Sequence, residues 1–331
     1  QGKPAASEDP AGYDHATFEM PATVVRELIE RKSQNLYIDV PKLKTHSMAG
    51  VTLGIKNQWA YPRHFDRKWD HNFNLHSKFV DVLEYVQPDF TLIDGTVGTI
   101  HGHYPPAARL DQCVIPFRIL IGGPDVLAVD LVGARVFGLG SEDVPHLQIA
   151  IDRGVGAGVT GLNDIEVVGN LNRFDQKYSY DLLPEFPPGV NLERGAELAC
   201  REGCVNNPLS VLQVLYLDYG GKGSFDLVFG KGFDPTVIDS LKGPVFIAGH
   251  CAYEEVGQRL TARLGPDRVY YSNACNNLAT TSAALFHLMG VSPLQLVRVG
   301  PLQSLKALVL ARFHHSHATV PSVFSKMVKK A

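Results

Sequence analysis

Several things are scarce in this sequence, and each scarcity narrows what the chain can be. It lacks a charge of one sign: 31 Lys and Arg stand against 34 Asp and Glu, a formal net charge of −3. No strong positive field draws it to nucleic acid, so no nucleic-acid partner is expected. It also lacks any apolar run near the roughly 20 residues that span a bilayer, so no transmembrane segment is expected. No signal-peptide-like apolar region opens it, and a cytoplasmic location is the expectation. The chain starts at Gln1 rather than methionine, which leaves room for a lost upstream segment and a truncated N-terminal domain. Cysteine is scarce as well, with 5 in 331 residues. A chain this long buries enough core to fold without disulfide staples.

What cysteine there is clusters. Cys200, Cys204, Cys251 and Cys275 fall in the C-terminal part, while Cys113 precedes an apolar run and reads as core. The first two belong to Cys-Arg-Glu-Gly-Cys, the third follows Ile-Ala-Gly-His, and the fourth follows Val-Tyr-Tyr-Ser-Asn-Ala. Cys251 and Cys275 each stand between a predicted strand and a predicted helix. There the helix dipole and free N–H groups favour a thiolate. Cys200 and Cys204 are spaced i, i+4 and would share a helix face, although Gly203 argues for a turn that wraps a ligand. Buried small hydrophobes and two disulfides are the alternatives to a metal site. Sulfur-only ligation favours zinc or an iron–sulfur cluster over hard cations. Tight CxxC knuckles are absent and the last two cysteines are 24 residues apart. A [4Fe–4S] cluster is therefore the first expectation and zinc the second. His250, beside Cys251, is either a surface histidine or a hydrogen-bond donor to the cluster.

The pattern along the chain predicts an α/β protein of two domains, 1–175 and 190–331. The first would hold a loose lead-in over 1–20, a helix at 22–32 and a strand at 36–40. A helix at 77–86, strands at 90–93 and 114–121, helices near 125–137 and 144–153, and a strand at 165–168 would complete it. The stretch 170–195, broken by Pro184, Pro187, Pro188 and Gly189, reads as irregular and as the domain boundary. Beyond it, helices at 207–218, 235–241, 252–264 and 278–289 alternate with strands at 227–229, 245–248 and 269–271. Such alternation implies a parallel sheet, whose ligands gather at the carboxyl ends of the strands. Gly230, Cys251 and Cys275 all fall at that edge.

A second candidate site lies in the first domain. Lys42, Lys44 and His46 alternate, so on an extended chain they share a face. Lys56 and Asn57 follow soon after, past Gly54. Leu43, Met48, Val51, Leu53 and Ile55 interleave with these charges and suggest partial burial, which costs free energy unless the charge is used or paired. Lys42, Lys44, Asn57 and His101 are the expected substrate-binding groups, and a small anionic substrate suits them. His46, Lys56 and Asp94, the last at a strand end before Gly95, are the expected catalytic groups, with His103 close by in sequence. His64, Asp66, Asp70, His71 and His76 form a further polar concentration that could hold a transition metal, without tight spacing. Asp125 reads as a helix cap rather than a catalyst. At the C-terminus, His314, His315, His317, Lys326, Lys329 and Lys330 sit on what reads as a solvated terminal helix.

Five stretches in order carry a family resemblance. They are Pro41-Lys-Leu-Lys-Thr-His46, Val51-Thr-Leu-Gly-Ile-Lys-Asn57, Pro88-Asp-Phe-Thr-Leu-Ile-Asp-Gly95, Asp125-Val-Leu-Ala-Val-Asp130 and Ile165-Glu-Val-Val-Gly169. Over about residues 35–170 the chain resembles the domain-of-unknown-function 362 family. The resemblance implies that an iron–sulfur domain accompanies this core, in agreement with the cysteines. The chain departs from the family pattern in its shortened segment before Pro41 and in His-Gly-His-Tyr-Pro-Pro at 101–106. His46 and Lys56 are also similar in spacing to the histidine and cofactor-bearing lysine of nickel-pincer lactate racemase. The resulting expectation is an iron–sulfur oxidoreductase-type enzyme acting on an anionic small molecule, with an electron-transfer protein as partner. The alternatives are a non-catalytic cluster carrier or sensor, and a metal-dependent racemase or hydrolase using the histidine-rich segment.

Overall fold

The computed structural model describes residues 18–63, 67, 71–296 and 300–314. The chain forms two compact units, one running to Gly290 and one from Val291. The first unit holds two sheets and is mixed α/β, as the sequence pattern predicts.

The first sheet is mixed. Strand β1 (Ile38–Asp39) and strand β2 (Lys42–His46) pair in succession along one side of a long strand β4 (Phe90–Thr99), both parallel to it. Strand β3 (Gly50–Thr52) turns back antiparallel on β2, while β5 (Val114–Ile115) and β6 (Ile119–Gly123) run antiparallel along the other side of β4. Helices α1 (Gly54–Asn57), α2 (Leu75–Tyr85), α3 (Val126–Val136) and α4 (Pro145–Asp152) contribute Ile55, Phe79, Leu127 and Leu147 to the core beside this sheet. Asp125 caps α3, its carboxylate accepting from the Ala128 N–H at 3.0 Å.

The second sheet is wholly parallel, in the order β10-β9-β8-β7. It consists of β7 (Val190–Arg194), β8 (Phe225–Phe229), β9 (Val245–Ala248) and β10 (Val269–Ser272). Every residue of β8 and β9 is buried, which is why β9 and the Leu227–Phe229 part of β8 read as apolar runs. Helices α5 (Asn206–Tyr219), α6 (Pro235–Ser240), α7 (Gln258–Leu264) and α8 (Leu278–Leu288) alternate with them, close to their predicted spans.

Two local expectations change. Residues 165–168 form no strand: Val168 is 96 % exposed and pairs with nothing. An apolar pair without a sheet neighbour cannot satisfy its backbone as a strand. Conversely, the stretch expected to be irregular contains β7, whose Asn191, Leu192 and Arg194 face solvent at the edge of the sheet. Its polar alternation is that of an edge strand, and the prolines before it hide the signal.

The second unit contains α9 (Pro301–Phe313), on which Leu302, Leu305 and Phe313 are exposed. His315, His317, Lys326, Lys329 and Lys330 lie outside the described residues. Among the described residues no helix is long and apolar enough to cross a membrane.

Candidate functional site

Strand β2 descends from the surface into the core: Lys42 is exposed, Lys44 half-buried and His46 buried. Helix α1 arrives beside it because its first two amides have a dedicated acceptor. The buried Asp130 carboxylate takes the Gly54 N–H at 2.8 Å with one oxygen and the Ile55 N–H at 2.8 Å with the other. Glycine is required at 54, since a Cβ there would stand 2.7 Å from Val126 Cγ2 and 3.0 Å from Asp130 Oδ1. This clamp fixes the direction of Lys56, whose Nζ lies 5.3 Å from the centroid of the Phe79 ring.

Lys56 is half-buried and has no counter-charge. Among the described residues no carboxylate lies within ion-pair distance of it. Burial, reinforced by the charge of Lys44, lowers it to about 8. Imidazoles gather around it. The His46 Nδ1 accepts the N–H groups of Met48 and Ala49, each at 3.2 Å, so its proton sits on Nε2. Its ring stacks on His103 with centroids 3.7 Å apart and planes 4° from parallel. Burial comes first among the causes that hold His46 and His146 well below the ordinary histidine range, and it takes His71 to about 4 and His103 to about 3. These rings are therefore neutral at pH 7.

Phe79 is the hub of the arrangement. Trp59 and His146 meet its ring at 6.0 Å and 5.5 Å between centroids, both edge-on. The Trp59 Nε1, the His103 Nδ1 and the His146 Nε2 are buried without a hydrogen-bond partner. Behind them the His146 Nδ1 lies 3.3 Å from the His76 Nδ1, and the His76 Nε2 lies 3.2 Å from Glu202 Oε1.

Not every residue expected in this site reaches it. Lys42 and Asp94 meet each other at the exposed end of β2, at 2.9 Å. The Asp94 carboxylate also accepts the Thr96 hydroxyl and amide, and these bonds, with Lys42, hold it near 2. Asn57 donates to Asp39 at 2.5 Å, an acid that burial raises to about 6. His101, in the left-handed region at φ 59°, lies with its Nδ1 3.0 Å from the Asp181 carbonyl. His64, Asp66 and Asp70 lie outside the described residues. The sequence reading did not single out Trp59, Phe79, His146 or Glu202 for this site. Trp59 and His146 carry no local motif, and only tertiary packing brings them to Phe79.

The four cysteines occupy the carboxyl rim of the parallel sheet. Cys251 follows β9 through Gly249 and His250, and Cys275 follows β10. Cys200 precedes a π-helical turn, Arg201–Val205, that contains Cys204 and leads into α5. Such turns re-aim side chains and recur at functional sites. Backbone strain concentrates here: Ala274 and Asn276, on either side of Cys275, have φ 55° and 66°. The segments touch. At Gly249, which has φ +95°, a Cβ would stand 3.1 Å from Cys204 Sγ, and at Gly203 one would stand 3.0 Å from the Cys275 carbonyl oxygen. Cys200 is exposed, and partial desolvation of its sulfur raises the thiol, with the charges of Glu202 and Cys251 adding to the effect. Among the described residues no disulfide joins the cysteines, and no group of three or more His, Cys, Asp or Glu is arranged to hold a single metal ion.

The lysine–histidine cluster, called here the chamber, is hydrogen-bonded to the rim. The Ser47 carbonyl, next to His46, accepts the Arg201 Nε at 2.8 Å and the Asn206 Nδ2 at 2.7 Å. Asn72 donates to the Cys275 carbonyl at 3.5 Å. Glu202, between Cys200 and Cys204, is the residue that reaches His76.

The structure thus belongs to the α/β class, with a mixed sheet bearing a basic chamber and a parallel sheet bearing a thiol rim. Residues 22–135 match the family model described as a domain of unknown function (DUF362). The match includes Lys56 and Asp130, and it ends before His146 and the four rim cysteines. No curated protein and no solved structure matches the chain.

Proposed function

We propose that the chain is an iron–sulfur protein of the oxidoreductase type, acting on a small anionic molecule in the basic chamber. Cys200, Cys204, Cys251 and Cys275 would hold a [4Fe–4S] cluster, with zinc as the alternative. One observation carries this reading: three segments bearing four cysteines meet at one sheet edge, and that edge is hydrogen-bonded through Ser47 to the segment of His46, beside an unpaired lysine. The donor set fits, since four thiolates with no hard-oxygen ligand suit iron–sulfur or zinc chemistry. A lone tetrahedral zinc, with Zn–S near 2.3 Å, needs its sulfurs packed more tightly than a four-iron cluster does.

When bound, the cluster would supply one-electron transfer. The chain's own residues do the rest. Lys56 balances the charge of the substrate, with Lys44 at the outer side, and His46 presents a fixed Nε2–H to it. Asp94, ionised and paired with Lys42, is the wrong group to hold a proton at pH 7. An electron-transfer protein is the implied partner, and a thiol-based cluster suits the reducing cytoplasm. The exposure of Cys200 favours, as the second reading, a carrier or sensor that passes its cluster on.

The test is iron, acid-labile sulfide and zinc analysis with absorption spectroscopy on anaerobically purified protein, beside a variant carrying Cys251→Ser and Cys275→Ser. About four irons and four sulfides per chain, lost in the variant, is the expected result. Zinc without sulfide would turn the rim into a structural site. Neither metal in fresh anaerobic protein would sink the reading.

A further inference from the structure

Three buried side-chain nitrogens, on Trp59 and His146 beside Phe79 and on His103 stacked against His46, have nothing to bond, and the half-buried Lys56 near them has no counter-charge. The Trp59 indole nitrogen can only donate, so no rearrangement of protons satisfies it from within. Leaving a buried polar group unpaired costs about 1–3 kcal/mol, and the chamber holds several together with an uncompensated lysine. A hydrophobic substitution would remove such a cost, and a ligand bearing acceptor oxygens and negative charge would remove it as well.

We propose that the side-chain cluster of His46, Lys56, Trp59, His103 and His146 binds a small monoanionic oxyacid, a carboxylate first, with Lys56 as its counter-charge and the indole and imidazole N–H groups as neutral donors. This rests on the reading of the chamber as an anion site and adds the charge class of the ligand and the groups that recognise it. The charge class follows from counting. Lys56 is the cation that touches the Phe79 ring, the surrounding rings are uncharged, and Lys44 is less strongly desolvated than Lys56. A polyphosphate would carry into this space charge that nothing there matches. The recognition follows from donors. The Met48 and Ala49 amides fix the His46 Nε2–H, and the stacking on His46 holds the His103 ring. The Phe79 ring, edge-on to Trp59 and His146, supplies an apolar floor suited to a short carbon body beside the carboxylate.

The indole N–H of Trp59 reports directly on occupancy. The chain has two tryptophans, Trp59 and Trp69, so a Trp69→Phe background leaves a single indole resonance in a ¹⁵N-correlated spectrum. Acetate, inorganic phosphate and chloride are titrated at constant ionic strength and neutral pH into the protein as purified. The expected result is a saturable shift of the Trp59 resonance with acetate, weaker by about tenfold with phosphate and absent with chloride, a factor of ten being about 1.4 kcal/mol. Lys56→Met should abolish the shift. His103→Phe, which keeps a ring for stacking, should weaken it by about tenfold, as expected for one lost hydrogen bond. A backbone spectrum unchanged away from the chamber shows that each variant is folded. No saturable shift with acetate, tighter binding of phosphate, or a shift that survives Lys56→Met would overturn the proposal. The titration reads no iron, so its failure leaves the metal analysis standing, and loss of the cluster leaves the titration readable.

Discussion

The chamber beside the mixed sheet and the rim of the parallel sheet concentrate function by opposite means. The chamber has an ordinary backbone at its key residues and unusual side-chain chemistry: burial drives several imidazoles to their neutral forms and lowers an unpaired lysine to about 8, still charged at pH 7. The rim has ordinary chemistry, cysteines and a glutamate, on an unusual backbone of π-helical turns and positive φ angles. A site that stores its cost in desolvated charge is relieved by a ligand of opposite charge. A site that stores it in backbone geometry is relieved by a group that several segments grip at once. The contrast explains why an anion is assigned to one region and a polynuclear centre to the other.

The contrast can be broken most forcefully at the Asp130 clamp. Asp130→Ala strips two buried amides, on Gly54 and Ile55, of their acceptor and leaves a void. A loss of about 2–5 kcal/mol in urea-induced unfolding is expected. An effect under about 1 kcal/mol would show that α1, and Lys56 with it, is held by something else.

Next in size is Gly54→Ala, which forces a methyl to 2.7 Å from Val126 Cγ2 and should cost about 1–3 kcal/mol by the same measurement. Its counterpart at the rim is Gly249→Ala, where φ +95° and the Cys204 sulfur both resist a side chain. That variant should lose bound metal more readily than it loses fold.

Lys56→Met should act in the reverse direction, leaving stability equal or higher while removing the pH dependence of the wild type. Lys56 falls to about 8 in the folded chain and stays near its ordinary value of about 10.4 when unfolded. Between pH 8 and 10 the unfolded chain thus binds more protons, and the wild type gains stability as pH rises through that window. Unfolding free energies at pH 7.5 and 9.5 test this: a wild type without that gain, or a variant that keeps it, would show that Lys56 is solvated. The smallest effect is expected from Lys42→Ala. Its pair with Asp94 is exposed on both sides, and such pairs contribute little. Thermal denaturation should hardly change, and neither should acetate binding.

Legibility in the sequence followed burial. Strands β8 and β9, buried on both faces, and the helices between them stood out as apolar runs and periodic segments. Strand β7 did not, because an edge strand half open to solvent carries Asn191, Glu193 and Arg194 and resembles a loop. The descent of Lys42, Lys44 and His46 into the protein was legible from alternation with apolar neighbours, and the rim placement of Cys251 and Cys275 from strand–helix order. The wall of the chamber was not. Trp59 and His146 have no common motif, and their meeting at Phe79 depends on how α2 and α4 pack. Nor does spacing reveal that Asp94 and Asn57 are already engaged, by Lys42 and Asp39.

The doubly held carbonyl of Ser47 has a thermodynamic corollary. One peptide group lies between His46, on the chamber side, and Arg201 and Asn206, on the cysteine side. If filling either site alters those two hydrogen bonds, the two occupancies form a linked equilibrium. Whatever factor a bound anion applies to the affinity of the rim for the proposed metal centre, that centre must apply to the affinity of the chamber for the anion.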